Sequence, residues 1–282
     1  MEKYTKNNSP VPKGTLLIIG GKEDKSTNDK NDIDAEILRR FIELTGTDNP
    51  RIEVITTGSQ LGAEVFDDYK KIFDALEVKT VQHIHHNVRK NILEDNLKER
   101  IDNADAIFIA GGDQLLLTSI YGGTEFLTQI KQRYVSETLV VGGTSAGAMA
   151  LSTPMIFAGN KNKQQITGEI KITTGLEFLK DVCIDTHFID RSRFIRMAQV
   201  IATNPTSIGI GIEEDTAIIV RKGCEAEVVG SGIVTIIEGF DITGSNIAEF
   251  GNNNVVNIEN LKVHLLSKGC SYRIPQINPP HK

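Results

Sequence analysis

Val140-Val141-Gly142-Gly143-Thr144-Ser145-Ala146-Gly147-Ala148 reads as an apolar strand that enters a glycine-rich turn and leaves it as a helix. Gly143-x-Ser145-x-Gly147 falls inside that turn, and the pattern occurs once in the chain. A turn this tight needs small flanking residues, and Gly143, Ala146, Gly147 and Ala148 are all small. Such a turn lifts a serine hydroxyl above the end of a sheet. It also leaves the following N–H groups and the helix N-terminus beside a developing oxyanion. A purely structural glycine turn has the same pattern, so the serine needs partners before it means chemistry. A dinucleotide fingerprint is excluded, because the G-x-G-x-x-G spacing is missing. A P-loop is excluded, because no G-K-[ST] follows.

Upstream of the turn, apolar strands alternate with segments of helical period. The strands are Thr15–Ile19, Arg51–Thr56, Thr80–His85, Ala106–Ala110 and Leu139–Val141. The helices are Asp34–Leu44, Leu61–Leu76, a third through Ile92, Leu93 and Leu97 to Arg100, then Gln114–Ile120 and Thr124–Arg133. This alternation predicts a mostly parallel sheet with helices on both faces, a three-layer αβα sandwich. Downstream, helices are expected over Ala148–Phe157 and Arg191–Ala202. Short strands follow at Ile208–Ile212, Thr216–Val220, Glu225–Val229, Ile233–Ile237 and Leu261–Leu265. They read as antiparallel, at the sheet's edge or in a small added sheet. Residues 1–13 read as a loose lead-in, Gly251–Asn254 as a turn, and residues 271–282 as an extended tail. No linker divides the chain, so residues 1–282 are expected to form one domain.

The 282 residues carry 31 basic and 37 acidic side chains, a net charge of −6. That balance disfavours a nucleic-acid partner. No apolar run approaches the ~20 residues of a membrane span. No secretory signal is readable, and Cys183, Cys224 and Cys270 suit neither a disulfide framework nor a zinc site. A cytoplasmic protein without a membrane partner is the expectation.

A nucleophilic serine needs a base. Among six histidines, His187 stands where a short strand ends and a helix is expected, on the rim where α/β active sites gather. His83, His85 and His86 read as solvated or packing residues, His264 as structural, and His281 lies on the tail. Glu213-Glu214-Asp215 ends an apolar strand and supplies a third member, without fixing which acid faces the histidine. The order Ser, His, acid differs from that of α/β-hydrolases. Gly111-Gly112-Asp113-Gln114 ends the strand before the serine strand and can place a donor beside Ser145. Arg191, Arg193 and Arg196 lie just after His187, where positive charge opposes the helix dipole. A carboxylate on a ligand would explain them.

Taken together, these motifs resemble cyanophycinases, serine peptidases of the same group as α-aspartyl dipeptidase (peptidase E). The matching pieces are Ile19–Asp24, Gly111–Gln114, Gly143–Ala148, Asp185–Phe188, the three arginines and Gly211–Ala217, in order from residue 15 to about 220. The resemblance implies Ser145 as nucleophile, His187 as base and Glu214 as the orienting acid. It implies Gln114, Asp185, Arg191, Arg193 and Arg196 as substrate-binding residues, Asp185 being the acid for a substrate guanidinium. N–H groups near Gly112 and Ala146 become the oxyanion donors. It further implies a class I glutamine amidotransferase-like fold, a homodimer, and no metal or cofactor. The implied substrate is cyanophycin, poly-aspartate with arginine on each side-chain carboxyl, released as β-Asp-Arg dipeptides. Aspartyl or isoaspartyl dipeptides are the alternative substrate. A non-catalytic amidotransferase-like binding protein is the alternative of another class. The chain departs from the family at Thr186, where Gln is more usual, and at Ser192, where Gly is.

Overall fold

The computed structural model describes residues 10–25, 35–90, 92–159, 163–249 and 253–276. Most of the expected lead-in, Gly251, Asn252, His281 and the end of the tail lie outside the described residues.

The first half runs β1 (Thr15–Ile19), α1 (Glu36–Glu43), β2 (Arg51–Ile55), α2 (Gly62–Ala75), β3 (Thr80–Ile84), α3 (Asp95–Asn103), β4 (Ala106–Ile109), α4 (Gln114–Tyr121), α5 (Glu125–Ser136), β5 (Val140–Thr144) and α6 (Ala146–Ala150). Next come β6 (Ser152–Thr153), β7 (Met155–Ala158), β8 (Lys171–Thr173), β9 (Leu179–Lys180), β10 (Val182–Thr186) and α7 (Phe194–Thr203). The chain continues through β11 (Ile208–Ile212), β12 (Thr216–Arg221), β13 (Glu225–Gly230), β14 (Val234–Glu238), β15 (Gly244–Ser245), β16 (Ile258–Glu259), β17 (Lys262–Leu266) and β18 (Ser271–Arg273).

The fold is mixed α/β around an eight-stranded sheet of order β18-β13-β12-β1-β5-β4-β2-β3. From β1 to β3 every pairing is parallel. From β1 outward to β18 every pairing is antiparallel. The central strands β1, β4 and β5 are buried on both faces because both faces are covered, whereas the edge strand β3 carries Gln82 and His83 and is only partly buried. Leu17 and Ile19 of β1 join α1 and α2 in one apolar cluster, while Leu16 and Ile18 join α3, α4 and α5 in another. Phe108 of β4 meets Phe41 and Phe73 edge to face, with ring centroids 5.3 and 6.0 Å apart. Truncating such a ring to alanine costs about 3–5 kcal/mol.

The second half differs from the sequence expectation in a way that matters for the site. Its antiparallel strands are divided: β12, β13 and β18 widen the large sheet, whereas β14 and β17 join another. That second sheet is not small; it has six strands in the order β17-β14-β11-β10-β6-β9. At its centre β10 and β11 run parallel. Ala148 and Ala150 of α6 share an apolar cluster with Ile184 of β10 and Ile210 of β11. The helix after the serine is therefore the wedge between the sheets.

The helix expected through Ile92 and Leu93 to Arg100 begins only at Asp95 and runs on to Asn103, and two helices of the second half are shorter than expected. The one expected over Ala148–Phe157 stops at Ala150, because Met155–Ala158 hydrogen-bonds to β8 as a strand. The one expected from Arg191 begins at Phe194, with Arg191 and Ser192 in a turn and Arg193 at the N-cap.

Candidate active site

Three chain segments converge at the ends of β1, β5 and β10. Ser145 follows β5 with φ 52° and ψ −118°. That backbone is strained for a residue with a Cβ, and strain of this kind costs on the order of 1–3 kcal/mol. Neighbouring structure holds it: the Ser145 N–H donates to Ile19 O at 3.1 Å. Gly147 lets α6 lie against β4, since a Cβ there would fall 2.2 Å from Ile109 O.

His187 follows β10, and its N–H donates to Gly20 O at 2.9 Å. Gly21 has φ 101°, and a Cβ on it would fall 2.4 Å from the His187 ring. Glu214 lies in the turn by which the chain passes from β11, in the second sheet, to β12, in the large one. The site is thus built across both sheets.

Ser145 Oγ is 2.9 Å from His187 Nε2, and His187 Nδ1 is 2.6 Å from Glu214 Oε1. A carboxylate only accepts, so Nδ1 carries the proton and Nε2 accepts from the serine hydroxyl. Burial lowers the His187 pKa from its ordinary value, and Arg191 and Arg193 lower it further against the opposing pull of Glu214. Burial raises Glu214, but bonds from Lys22 and His187 outweigh it and leave the carboxyl below its ordinary value. Near neutral pH the pair is an imidazole and a carboxylate, the states a base and its orienter require.

The sequence left three acids open at this turn. Glu213 accepts the Ile233 N–H, and Asp215 accepts the Asp24 N–H and the Ser231 hydroxyl. Glu214 alone of the three meets His187. The non-catalytic reading required the three side chains to stay apart, and their convergence removes its ground.

A cavity of about 310 Å³ opens over Ser145. Its walls include Ser145, His187 and Gly112 together with Lys22, Glu23 and Tyr69. The Gly112–Asp113 turn is fixed by the Asp113 N–H, which donates to Gly58 O at 2.7 Å, and by Asp113 Oδ1, which caps α4. Ala146 opens α6, where backbone N–H groups have no partner within the helix.

The remaining residues named from the sequence are placed differently. Gln114 is not among the walls of this cavity; its Nε2 donates to Ile156 O at 2.9 Å. Asp185 is fully buried. It accepts from Arg193 Nη1 at 2.8 Å, from Arg196 Nε at 2.5 Å and from Arg196 Nη2. Asp185 is therefore not the acid for a substrate guanidinium, because the chain's own arginines have taken it. Arg193 and Arg196 are held in place by it, and Arg191 is left exposed at the rim. Thr186 is buried with its Oγ1 unpaired among the described residues.

His83 Nε2 and His85 Nδ1 share Thr56 Oγ1 at 2.7 and 3.0 Å, and His86 meets the Tyr121 hydroxyl at 3.0 Å. Among the described residues no group of three or more His, Cys, Asp or Glu side chains is arranged to hold a metal ion. Nor is any helix among them long and apolar enough to cross a membrane.

Sequence reasoning passed over Lys22, Glu23, Lys25 and Tyr69. Glu23 is buried, accepts the Thr144 hydroxyl at 2.6 Å and is bonded by the Tyr69 hydroxyl. The available signal was the charged Lys22-Glu23-Asp24 run directly after a buried strand. Tyr69 gave none, since on α2 it looks like any core aromatic.

Fold and site together define an α/β protein in which a strained serine, a histidine and a carboxylate form one hydrogen-bonded series at the strand ends. The model of peptidase family S51 matches residues 16–228. The cyanophycinase of Nostoc sp. is 31% identical over 264 residues, covering 94% of this chain and 87% of that protein. The cyanophycinase of Synechococcus elongatus is 32% identical over 270 residues, covering 96% and 82%. In structure, the chain is similar to a peptidase from an acI-B1 Actinobacterium, with a TM-score of 0.65 at 21% identity over 93% of this chain and 97% of that one. A putative peptidase E protein from Listeria monocytogenes gives 0.50 at 17% identity over 77% and 98%. The chain belongs to peptidase family S51 and is a serine peptidase.

Proposed function

We propose that this peptidase is a cyanophycinase, with Ser145, His187 and Glu214 as its catalytic triad. The observation that carries the reading is the unbroken series from Ser145 Oγ through His187 to Glu214, in a chain about 30% identical to cyanophycinases over most of its length. Ser145 attacks the backbone carbonyl of a β-Asp-Arg unit, and His187 takes its proton. Backbone N–H groups of Gly112 and Ala146 face the oxyanion. His187 then gives its proton to the leaving amine, which breaks the amide bond and leaves an acyl group on Ser145. Water, activated by the same imidazole, frees that group. Glu214 holds the ring and offsets the imidazolium charge throughout.

For substrate binding, the free carboxylate of a unit is assigned to Arg191, with Arg193 and Arg196 behind it, oriented by Asp185. A guanidinium keeps five N–H donors, so arginines already held by one acid can still bind another. Gln114 stays a binding residue only for a substrate that extends past the cavity over Ser145. The finer fold reading is the class I glutamine amidotransferase-like one, supported by the serine at the end of a central parallel strand. The chain is taken as one domain, since both sheets share the cluster that runs through α6. A cytoplasmic homodimer belongs to the same reading, which light scattering on the purified protein tests.

The test of function incubates purified protein with insoluble cyanophycin and follows the soluble fraction by mass spectrometry, beside Ser145→Ala. Release of β-Asp-Arg by the wild type alone is expected. A folded wild type that releases nothing overturns the polymer assignment, and cleavage of aspartyl or isoaspartyl dipeptides would replace it.

A further inference from the structure

The end of β1 and the segment after it touch every member of the proposed triad. Ile19 O accepts the Ser145 N–H, Gly20 O accepts the His187 N–H, and Gly21 O accepts the Asp215 N–H at 2.9 Å, one residue past Glu214. Asp215 Oδ1 accepts the Asp24 N–H at 3.0 Å in return. Glu23 takes the hydroxyl of Thr144, the residue before Ser145. In the middle sits Lys22 at φ 47°, a left-handed backbone that disfavours any residue with a Cβ. Its Nζ lies 2.8 Å from Glu214 Oε2, while the other oxygen of that carboxylate faces His187.

We infer that Lys22 is a positioning residue for catalysis: its ammonium pins Glu214 Oε2 and so keeps Oε1 ionised and directed at His187 Nδ1. The inference rests on the serine-peptidase reading of the site and is independent of which peptide is cut. Lys22 does not touch the reacting atoms and acts only through Glu214. His187 also faces Arg191 and Arg193 from its own turn, with Asp185 paired to Arg193 and Arg196, and shares the cavity with Glu23, Lys25, Asp68 and Tyr69. None of these meets Glu214 Oε2.

The sign of the effect follows from charge. Without the ammonium, the Glu214 charge is less compensated, so a proton on Glu214 or on His187 is held more tightly. Both groups then titrate at higher pH, and the acid limb of kcat/KM moves up. The Lys22 side chain is 70% exposed, so water screens the pair, and the loss of kcat/KM at neutral pH is about 2–5-fold.

The test compares Lys22→Gly, Lys22→Met and Lys22→Arg with the wild type. Glycine removes the ammonium and accepts φ 47° without penalty, so its effect is not one of folding. The readouts are NMR titration of the His187 ring, assigned through His187→Gln, and the pH profile of kcat/KM on whichever peptide the wild type cleaves. The Gly and Met variants are expected to raise the His187 titration and the acid limb together, and Arg to restore both. An unmoved titration in Gly and Met overturns the inference, with or without a fall in kcat. A wild type that neither cleaves peptides nor is acylated at Ser145 overturns the serine-peptidase reading instead, and the ring titration still judges the link from Lys22 to His187.

Discussion

Two carboxylates stand near His187, and they have opposite fates. Asp185, the last residue but one of β10, is fully buried and neutralised by two arginines from the same chain. Glu214, in the turn after β11, is partly open and meets one imidazole and one exposed lysine. The same chemical group is an anchor in the first place and a partner to an imidazole in the second. Burial makes the difference. A buried charge must be paired, and removing its partners is costly. At the partly exposed position the carboxylate remains ionised with lighter support and stays responsive to the imidazole.

The comparison breaks most readily at Glu214. Glu214→Gln keeps the shape of the turn but cannot hold His187 in the required state. It is expected to lower kcat by about 10⁴-fold with an unchanged melting temperature. Asp185→Asn is expected to do the reverse in kind: it strands two guanidinium groups and costs about 3–5 kcal/mol. A fall in melting temperature on the order of 10 °C reads that cost. If Glu214→Gln unfolded the protein and Asp185→Asn left it stable, the two roles would have been assigned the wrong way round.

Arg191 sharpens the contrast within the arginine cluster, because it is the exposed member. Arg191→Ala is expected to raise KM about tenfold, the worth of one charge-assisted hydrogen bond, with little change in stability. The same substitution removes a positive charge that disfavours imidazolium. In the wild type, then, the acid limb of kcat/KM lies below the ordinary imidazole range. In Arg191→Ala it moves up toward that range, as a kcat/KM profile from pH 4 to 8 would record. Thr186 gives the smallest effect. Its buried Oγ1 has no partner among the described residues, so Thr186→Val, of the same shape, is expected to be neutral or to stabilise by about 1 kcal/mol in a denaturant titration.

The same contrast separates what was legible in the sequence from what was not. β1, β4 and β5 were readable because strands covered on both faces must be apolar throughout. The serine turn was readable because its packing against β4 demands glycine and alanine at fixed positions. The end of α6 was not. Ala148–Phe157 stays apolar whether it is helix or strand, and only pairing with β8 decides. The start of α7 was missed because charged residues suit a turn as well as a first helical turn. Of the site, Ser145, His187 and the acidic turn were visible as residue types at strand ends. The choice of Glu214 over its neighbours came from resemblance, since a turn's sequence does not say which of three acids points inward. The pairing of Asp185 had a signal that went unused. An aspartate inside the apolar run Val182–Thr186 needs a buried cation, and the arginines that follow at 191, 193 and 196 were candidates. Lys22 stood within the matching run Ile19–Asp24, but its link to Glu214 was not legible, because only the fold brings that carboxylate to it.

The central claim is that Ser145 becomes acylated during turnover. Quenching the wild type with acid while it digests cyanophycin, followed by mass spectrometry of its peptides, tests this directly. A β-Asp-Arg acyl adduct, single or at the end of a longer chain, on the peptide that carries Ser145, absent from Ser145→Ala, is the predicted result. Full activity in Ser145→Ala, or turnover without any adduct on that serine under conditions where acylation outruns hydrolysis, would contradict it.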